Sequence, residues 1–410
     1  MNRRHFLRHA FGAVGLGLSG CQYLPYQGFI NPCYKSGLAE HLRHHELVKS
    51  TWDGIDTNQI WDCHAHLIGT GDSDSGIWIN PKMQTWLNPA LYARFQFYIN
   101  GSCALPEATE SLDSAFVNRL QQLHSELPPG FRIMLLAFDY HHDVNGKVVK
   151  EYSTFYTPNK YAQTLAKTYS NTFEWIASIH PYREDCIDAL KDAVKNNTRA
   201  IKWLPTAMGI DPSSKQCDPF YEALVKYDIP LLTHVGEEHA VMVPDGPTYD
   251  NPLLFRRALE HGVRVIFAHC ATLGESIDLD KGRNAKPVAN LSLFARLLSE
   301  KKYESLLFGD ISAITQVNRS REMIETIVTN EHWHERLMYG SDYPLPGVMP
   351  IMAPENFVRW GYLKESDAQI ISEIRQYNPI LFDIMLKRNI KIKGRRLSSR
   401  VFESRRFFVG

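Results

Sequence analysis

Two histidines separated by one alanine end a short apolar run at residues 60–69, IWDCHAHLIG. Side chains in a strand alternate faces with period two, so His64 and His66 point the same way. Two imidazoles side by side at a strand end are costly to bury unless something lies between them, and a metal ion fills that role. The same residue types recur down the chain, each closing a short apolar run: Asp62 with the histidine pair, then Asp139, His180, Lys202, His234, His269, Asp310 and Asp342. Buried charge is expensive unless paired or metal-bound, so ionisable residues at every strand end point to a polar reaction centre.

The runs that must position these residues span 60–66, 131–138, 175–180, 199–204, 230–235, 264–269, 306–311 and 336–341. Between them lie amphipathic stretches such as 183–196, 219–227 and 252–261, and strands alternating with helices imply a parallel sheet. Eight such units define an α/β fold, a (β/α)8 TIM barrel, whose site lies at the C-terminal ends of its strands. An open doubly wound sheet fits less well, because no glycine-rich phosphate loop follows the first run. Residues 67–130 form a long insertion between the first strand and its helix. Its aromatic richness predicts a partly helical cap over the barrel mouth.

The motifs DCHAH, AIKWLP, LLTHVG, IFAHC and YGSDYP follow the order and spacing of the amidohydrolase superfamily. They most resemble its amidohydrolase-related branch of metal-dependent hydrolases and non-oxidative decarboxylases, and IHPY and the late NPILFDI support the likeness over residues 59–385. The resemblance implies that His64, His66, His234 and Asp342 bind one divalent metal, zinc best fitting three nitrogens and a carboxylate. Such a metal lowers the pKa of water toward ~7. The resemblance also makes Asp342 the general base, and His269 either the group that orients the nucleophile or the one that steadies a developing oxyanion. Lys202 stands where some relatives carry a carbamate bridging two metals and others a substrate-facing residue. With one metal, Lys202 falls on the substrate side. His180 and Asp310 are candidates to orient ligands from behind.

The N-terminal MNRRHFLRHAFGAVGLGLSGCQ has a basic start and an apolar stretch from Ala10 to Gly20. It reads as an export signal over 1–20 and stays outside the fold. The pair Arg3–Arg4 resembles a twin-arginine signal, and LSGC resembles a bacterial lipoprotein cleavage box with Cys21 as the lipidated residue. The expected location is therefore a bacterial membrane, with the protein lipid-anchored and facing the periplasm or cell exterior. A linker and N-terminal extension over 21–58 precede the catalytic barrel over 59–388, and 389–410 reads as a basic, solvated tail. The remaining cysteines lack metal or disulfide-scaffold spacing. Alternation places Cys63 and Cys270 on the face opposite the neighbouring histidines, as apolar filler.

Lysine plus arginine equals aspartate plus glutamate at 45 each, so no global field favours nucleic acid. The expected partner is a small-molecule substrate, with the membrane reached through lipid alone and self-association left open. The leading function is metal-dependent hydrolysis of an amide, ester or lactone. Metal-dependent decarboxylation is the alternative on the same scaffold, and a binding lipoprotein without catalysis is the second.

Overall fold

A closed ring of eight parallel strands positions the residues singled out above, within the strands or just beyond their C-terminal ends. The computed structural model describes residues 35–409 apart from 105, 107–108, 244–245, 247, 283 and 349–350. The strands are β1 (Trp61–His66), β2 (Arg132–Leu136), β3 (Phe173–Ile176), β4 (Ile201–Trp203), β5 (Leu231–Thr233), β6 (Val265–Phe267), β7 (Leu307–Asp310) and β8 (Leu337–Met338). Each pairs in parallel with the next, β3 meeting β4 through Ala177 and Ile201. The ring closes where Ala65 bridges Tyr343, Cys63 N–H donates to Tyr339 O at 3.1 Å and His66 N–H donates to Tyr343 O at 2.8 Å. The protein is thus a (β/α)8 barrel.

Side chains of the strands separate into two apolar populations. Met134, Leu136, Ile176, Leu232, Ile266 and Met338 fill the barrel interior, whereas Ile133, Leu135, Ile201 and Val265 face the surrounding helices. The β1–β2 pairing slips by one residue: Asp62 lies opposite Ile133 and Ala65 opposite Leu135. Such a bulge re-aims side chains, and bulges cluster near active sites. Trp61 and Cys63 share the inner apolar cluster, as period two requires, and the slip between Asp62 and Ala65 lets His64 reach the barrel mouth beside Cys63. The expectation that Cys63 faces away from the barrel interior is therefore corrected, because the slip brings His64 to the mouth without turning Cys63 outward. Cys270 does lie in the outer cluster, its Sγ 3.1 Å from Asp310 O.

The C-terminal residues are not a solvated tail. Phe407 and Phe408 join the interior cluster beside Trp61, Ser404 Oγ donates to Trp61 O, and Arg264 Nη1 donates to Phe407 O at 2.8 Å. Burying two phenylalanines at the open lower end outweighs the cost of ordering a basic segment, whose arginines keep their heads at the surface.

After β1 the chain forms a short strand Trp78–Ile79, paired antiparallel with Phe155–Tyr156, and the 13-residue helix Pro89–Gly101. Pro89 opens that helix at a position where its missing N–H costs nothing. Tyr98 Oη donates to Ala240 O at 2.6 Å and Arg94 Nη1 to Val241 O at 2.8 Å, tying this helix to the segment after β5. Among the described residues no helix is long and apolar enough to cross a membrane. The export signal and Cys21 lie outside the described residues.

Candidate metal centre

His64, His66 and Asp342 converge at the C-terminal mouth of the barrel, where their ligand atoms lie within 4.8 Å of one another. His66 Nε2 is 3.1 Å from Asp342 Oδ1 and His64 Nε2 is 3.6 Å from the same oxygen. The bulge and the strand period together bring both imidazoles to this side. Asp342 reaches it from the turn after β8, where its φ of 60° is uncommon for a residue with a side chain. Its N–H donates to His64 O at 2.7 Å, which locks that turn against β1. Gly340 leaves room for the approach, since a Cβ there would lie 2.8 Å from His64 Cβ.

Behind the three donors sits Asp310, fully buried at the end of β7. Its Oδ2 accepts from His64 Nδ1 at 2.9 Å. Its Oδ1 accepts from Ser312 Oγ, Ser312 N–H and His269 N–H. Because Ser312 uses its only proton on Asp310, it can only accept from His269 Nδ1, 2.8 Å away. Both histidines therefore carry their proton on Nδ1 and present a bare Nε2. His269 also heads a run of three residues with positive φ, His269, Cys270 and Ala271, at 56°, 51° and 51°. Strained backbone of this kind concentrates at functional sites.

Burial opposes ionisation of Asp342, yet His269, His64 and His66 outweigh it and hold the carboxyl well below its usual 3.8. Burial likewise opposes ionisation of Asp310, and the neighbouring His64, His269 and Ser312 again win, so its pKa also falls. Burial keeps His64 and His269 neutral by lowering their pKa values. A neutral imidazole at His64, a second imidazole at His66, an ionised carboxylate at Asp342 and a carboxylate fixing His64 from behind are donor chemistry that suits a divalent cation. The residues fit a metal. Lys202 is the discordant neighbour: it is 2 % exposed, and its Nζ lies 3.1 Å from His64 Nε2. Burial lowers its pKa, while Asp310, Asp342 and Glu238 favour its charge. A cation on His64 requires Lys202 to surrender that bond.

His234 stands beside the cluster rather than in it. Its ring centroid is 5.4 Å from that of His269, its Nδ1 is 3.3 Å from Glu238 Oε2, and its Nε2 faces Gly236 O at 3.1 Å. His180 is not brought to the centre. Its ring packs 4.4 Å from that of His142, and its Nε2 bonds Met208 O. Three contributors escaped sequence reading: Ser312, Glu238 and Arg319. Ser312 was findable, because it follows Asp310 at the same i, i+2 spacing as His66 follows His64. Glu238 and Arg319 sit on loops with no periodicity to mark them.

Above the centre opens a cavity of about 530 Å³, walled by apolar side chains of the cap and loops, among them Ile79, Met83, Phe97, Phe138, Phe155 and Ile351.

The amidohydrolase family model matches residues 61–353, and the chain belongs to that family. No curated protein matches it. Solved structures similar to it include a TIM-barrel protein of uncharacterised function from Bordetella bronchiseptica. That one has 12% identity and a TM-score of 0.44 over 70% of this chain and 86% of its own. A 5-carboxyvanillate decarboxylase from Sphingomonas paucimobilis has 10% identity and a TM-score of 0.44 over 82% and 99%. A Pseudomonas putida protein assigned as a 2-pyrone-4,6-dicarboxylic acid hydrolase has 16% identity and a TM-score of 0.42 over 86% and 98%.

Proposed function

We propose that this chain is a metal-dependent hydrolase of a small-molecule amide, ester or lactone, using one zinc ion per chain. The observation that carries the reading is the convergence of His64 Nε2, His66 Nε2 and Asp342 Oδ1, with Asp310 holding His64 from behind. Bound there, the ion would supply Lewis acidity and a more acidic water. His234 becomes a fourth ligand only by leaving Glu238 and Gly236. Asp342 engages the imidazoles through Oδ1, and its Oδ2 takes the proton of the attacking water and returns it to the leaving group. His269, with a bare Nε2, orients that water by accepting from it. An oxyanion needs a donor, and Lys202, once free of His64, is that donor.

Export and lipid attachment at Cys21 belong to the same proposal. A disulfide at Cys103 fits an oxidising compartment. A small molecule is the partner for which the cavity has room.

Decarboxylation is favoured instead by three cations at the cavity, Arg94, Lys202 and Arg319, which suit an acid substrate. The deciding experiment is metal analysis of the full chain beside a His64→Ala/His66→Ala double variant, followed by ester, lactone, amide and carboxylic-acid substrates. About one zinc lost in the variant, with hydrolysis and no carbon dioxide release, supports the proposal. Carbon dioxide release moves the reading to decarboxylation, and a metal-free wild type after zinc loading leaves a binding protein.

A further inference from the structure

Arg319 lies on the loop after β7, is 5 % exposed, and lines the cavity. Its Nε donates to Thr272 Oγ1 at 2.9 Å and its Nη1 to Asn318 Oδ1 at 2.7 Å. Both partners are neutral, and among the described residues no carboxylate forms an ion pair with the guanidinium. Nη2 makes no hydrogen bond to a described residue. Burial lowers the pKa of Arg319 to about 10, with Asp342 and Glu238 acting on it through space, so it stays charged at neutral pH. A buried, charged and unpaired guanidinium is costly, and one facing an apolar cavity has its missing partner in whatever fills that cavity.

We infer that Arg319 is an anion-binding subsite for one carboxylate of the substrate, a group separate from the one that reacts at the metal centre, on a molecule with an apolar body. The inference rests on the proposed reaction only for the place where chemistry occurs; the subsite stands on Arg319 itself. Its fork is fixed by Thr272 and Asn318, which aligns the remaining N–H groups for a planar carboxylate. With Asp342 and Glu238 acting on it through space, Arg319 suits a monoanion. A phosphate dianion would meet both carboxylates with twice the repulsion. The apolar walls recognise the rest of the molecule.

The test uses 4-phenylbutyrate and octanoate against their primary amides, by calorimetry on the full chain in zinc-loaded and chelator-stripped forms. The expected result is that each acid binds about tenfold or more tightly than its amide, in both forms, because the subsite does not need the metal. In Arg319→Met that preference disappears. In Arg319→Lys, which keeps the charge without the fork, and in Thr272→Val, which loosens the fork, it shrinks but persists. Equal binding of acids and amides by the wild type overturns the inference. So does a preference that survives in Arg319→Met, or one seen only with zinc, which places the carboxylate on the metal. Zinc content measured on the same samples separates the two claims. Zinc without acid preference sinks the subsite alone, and acid preference without zinc sinks the metal reading alone.

Discussion

The carboxylate of Asp310 holds His64 and His269 in one protonation pattern, directly through His64 Nδ1 at 2.9 Å and indirectly through Ser312 Oγ, which lies 2.8 Å from His269 Nδ1. Partners of this kind typically change metal affinity 10–100-fold. Asp310→Asn is expected to weaken zinc binding by about that factor, because its amide NH2 can donate where only acceptance is useful. Ser312→Ala leaves the His64 bond intact and keeps Ser312 O, 3.1 Å from His269 Nδ1, as an acceptor, so it should bind zinc nearly as tightly as the wild type and slow turnover only modestly. Zinc titration against a competing chelator, with kcat measured on the same samples, checks the pair. Tight zinc binding by Asp310→Asn would refute the arrangement.

His234 provides a sharper check on the ligand set. Held by Glu238 and Gly236, it should be the dispensable member: His234→Ala keeps about one zinc per chain at reduced affinity, whereas His66→Ala loses it. Elemental analysis after dialysis distinguishes the two. Equal loss in both variants would mean that His234 swings into the coordination sphere and is as necessary as the H-x-H pair.

The eight strands were legible because each is a near-continuous apolar run, as parallel strands buried on both faces must be. So were most of the charged residues at their ends. The third strand shows where that reading runs out. Expected over 175–180, it pairs no further than Ala177, because Ser178 N–H bonds Asn159 Oδ1 at 2.8 Å and His180 N–H bonds Asp139 Oδ2 at 3.0 Å instead of a neighbouring strand. Those side-chain partners divert His180 from the centre, and no local pattern announces them. The bulge at Cys63 is equally silent, since one extra residue in a ladder is a property of the pairing. The C-terminal segment misled through composition. Its arginines dominate the count, while Phe407 and Phe408 decide where it goes.

Acid should destabilise the fold through histidines outside the centre. Burial lowers the pKa of His180 well below 6.5, with His142 beside it adding to the effect, and burial also lowers His124, His142 and His334. The unfolded chain takes up these protons near 6.5 and the native state does not, so their stabilising contribution is complete above pH 6.5 and is lost as pH falls below it. For His180 the limiting slope is about 1.4 kcal/mol per pH unit. Urea unfolding at pH 7.5, 6.5, 6.0 and 5.5 should show falling stability, and His180→Gln should flatten the slope. A slope unchanged in that variant would assign the acid sensitivity elsewhere.

Beneath the centre, Lys387 and Asp383 form a fully buried ion pair at 2.6 Å, one helical turn apart on Pro379–Asn389. Lys387 Nζ also donates to Gly340 O at 2.9 Å, linking that helix to the turn that carries Asp342. Burial raises the Asp383 carboxyl to about 6 despite Lys387, so the pair is held at a desolvation cost. Removing one partner strands a charge, and Lys387→Met or Asp383→Leu alone should cost about 3–5 kcal/mol. The double variant Asp383→Leu/Lys387→Met removes both charges at similar volume and should recover most of that loss. If the pair serves only stability, the double variant also regains full turnover. If its purpose is to fix Gly340 and hence Asp342, stability returns while kcat stays depressed. Thermal unfolding and kcat on the same three proteins separate these outcomes. The bond to Gly340 O favours the second, because an apolar side chain in place of Lys387 leaves that carbonyl without its donor.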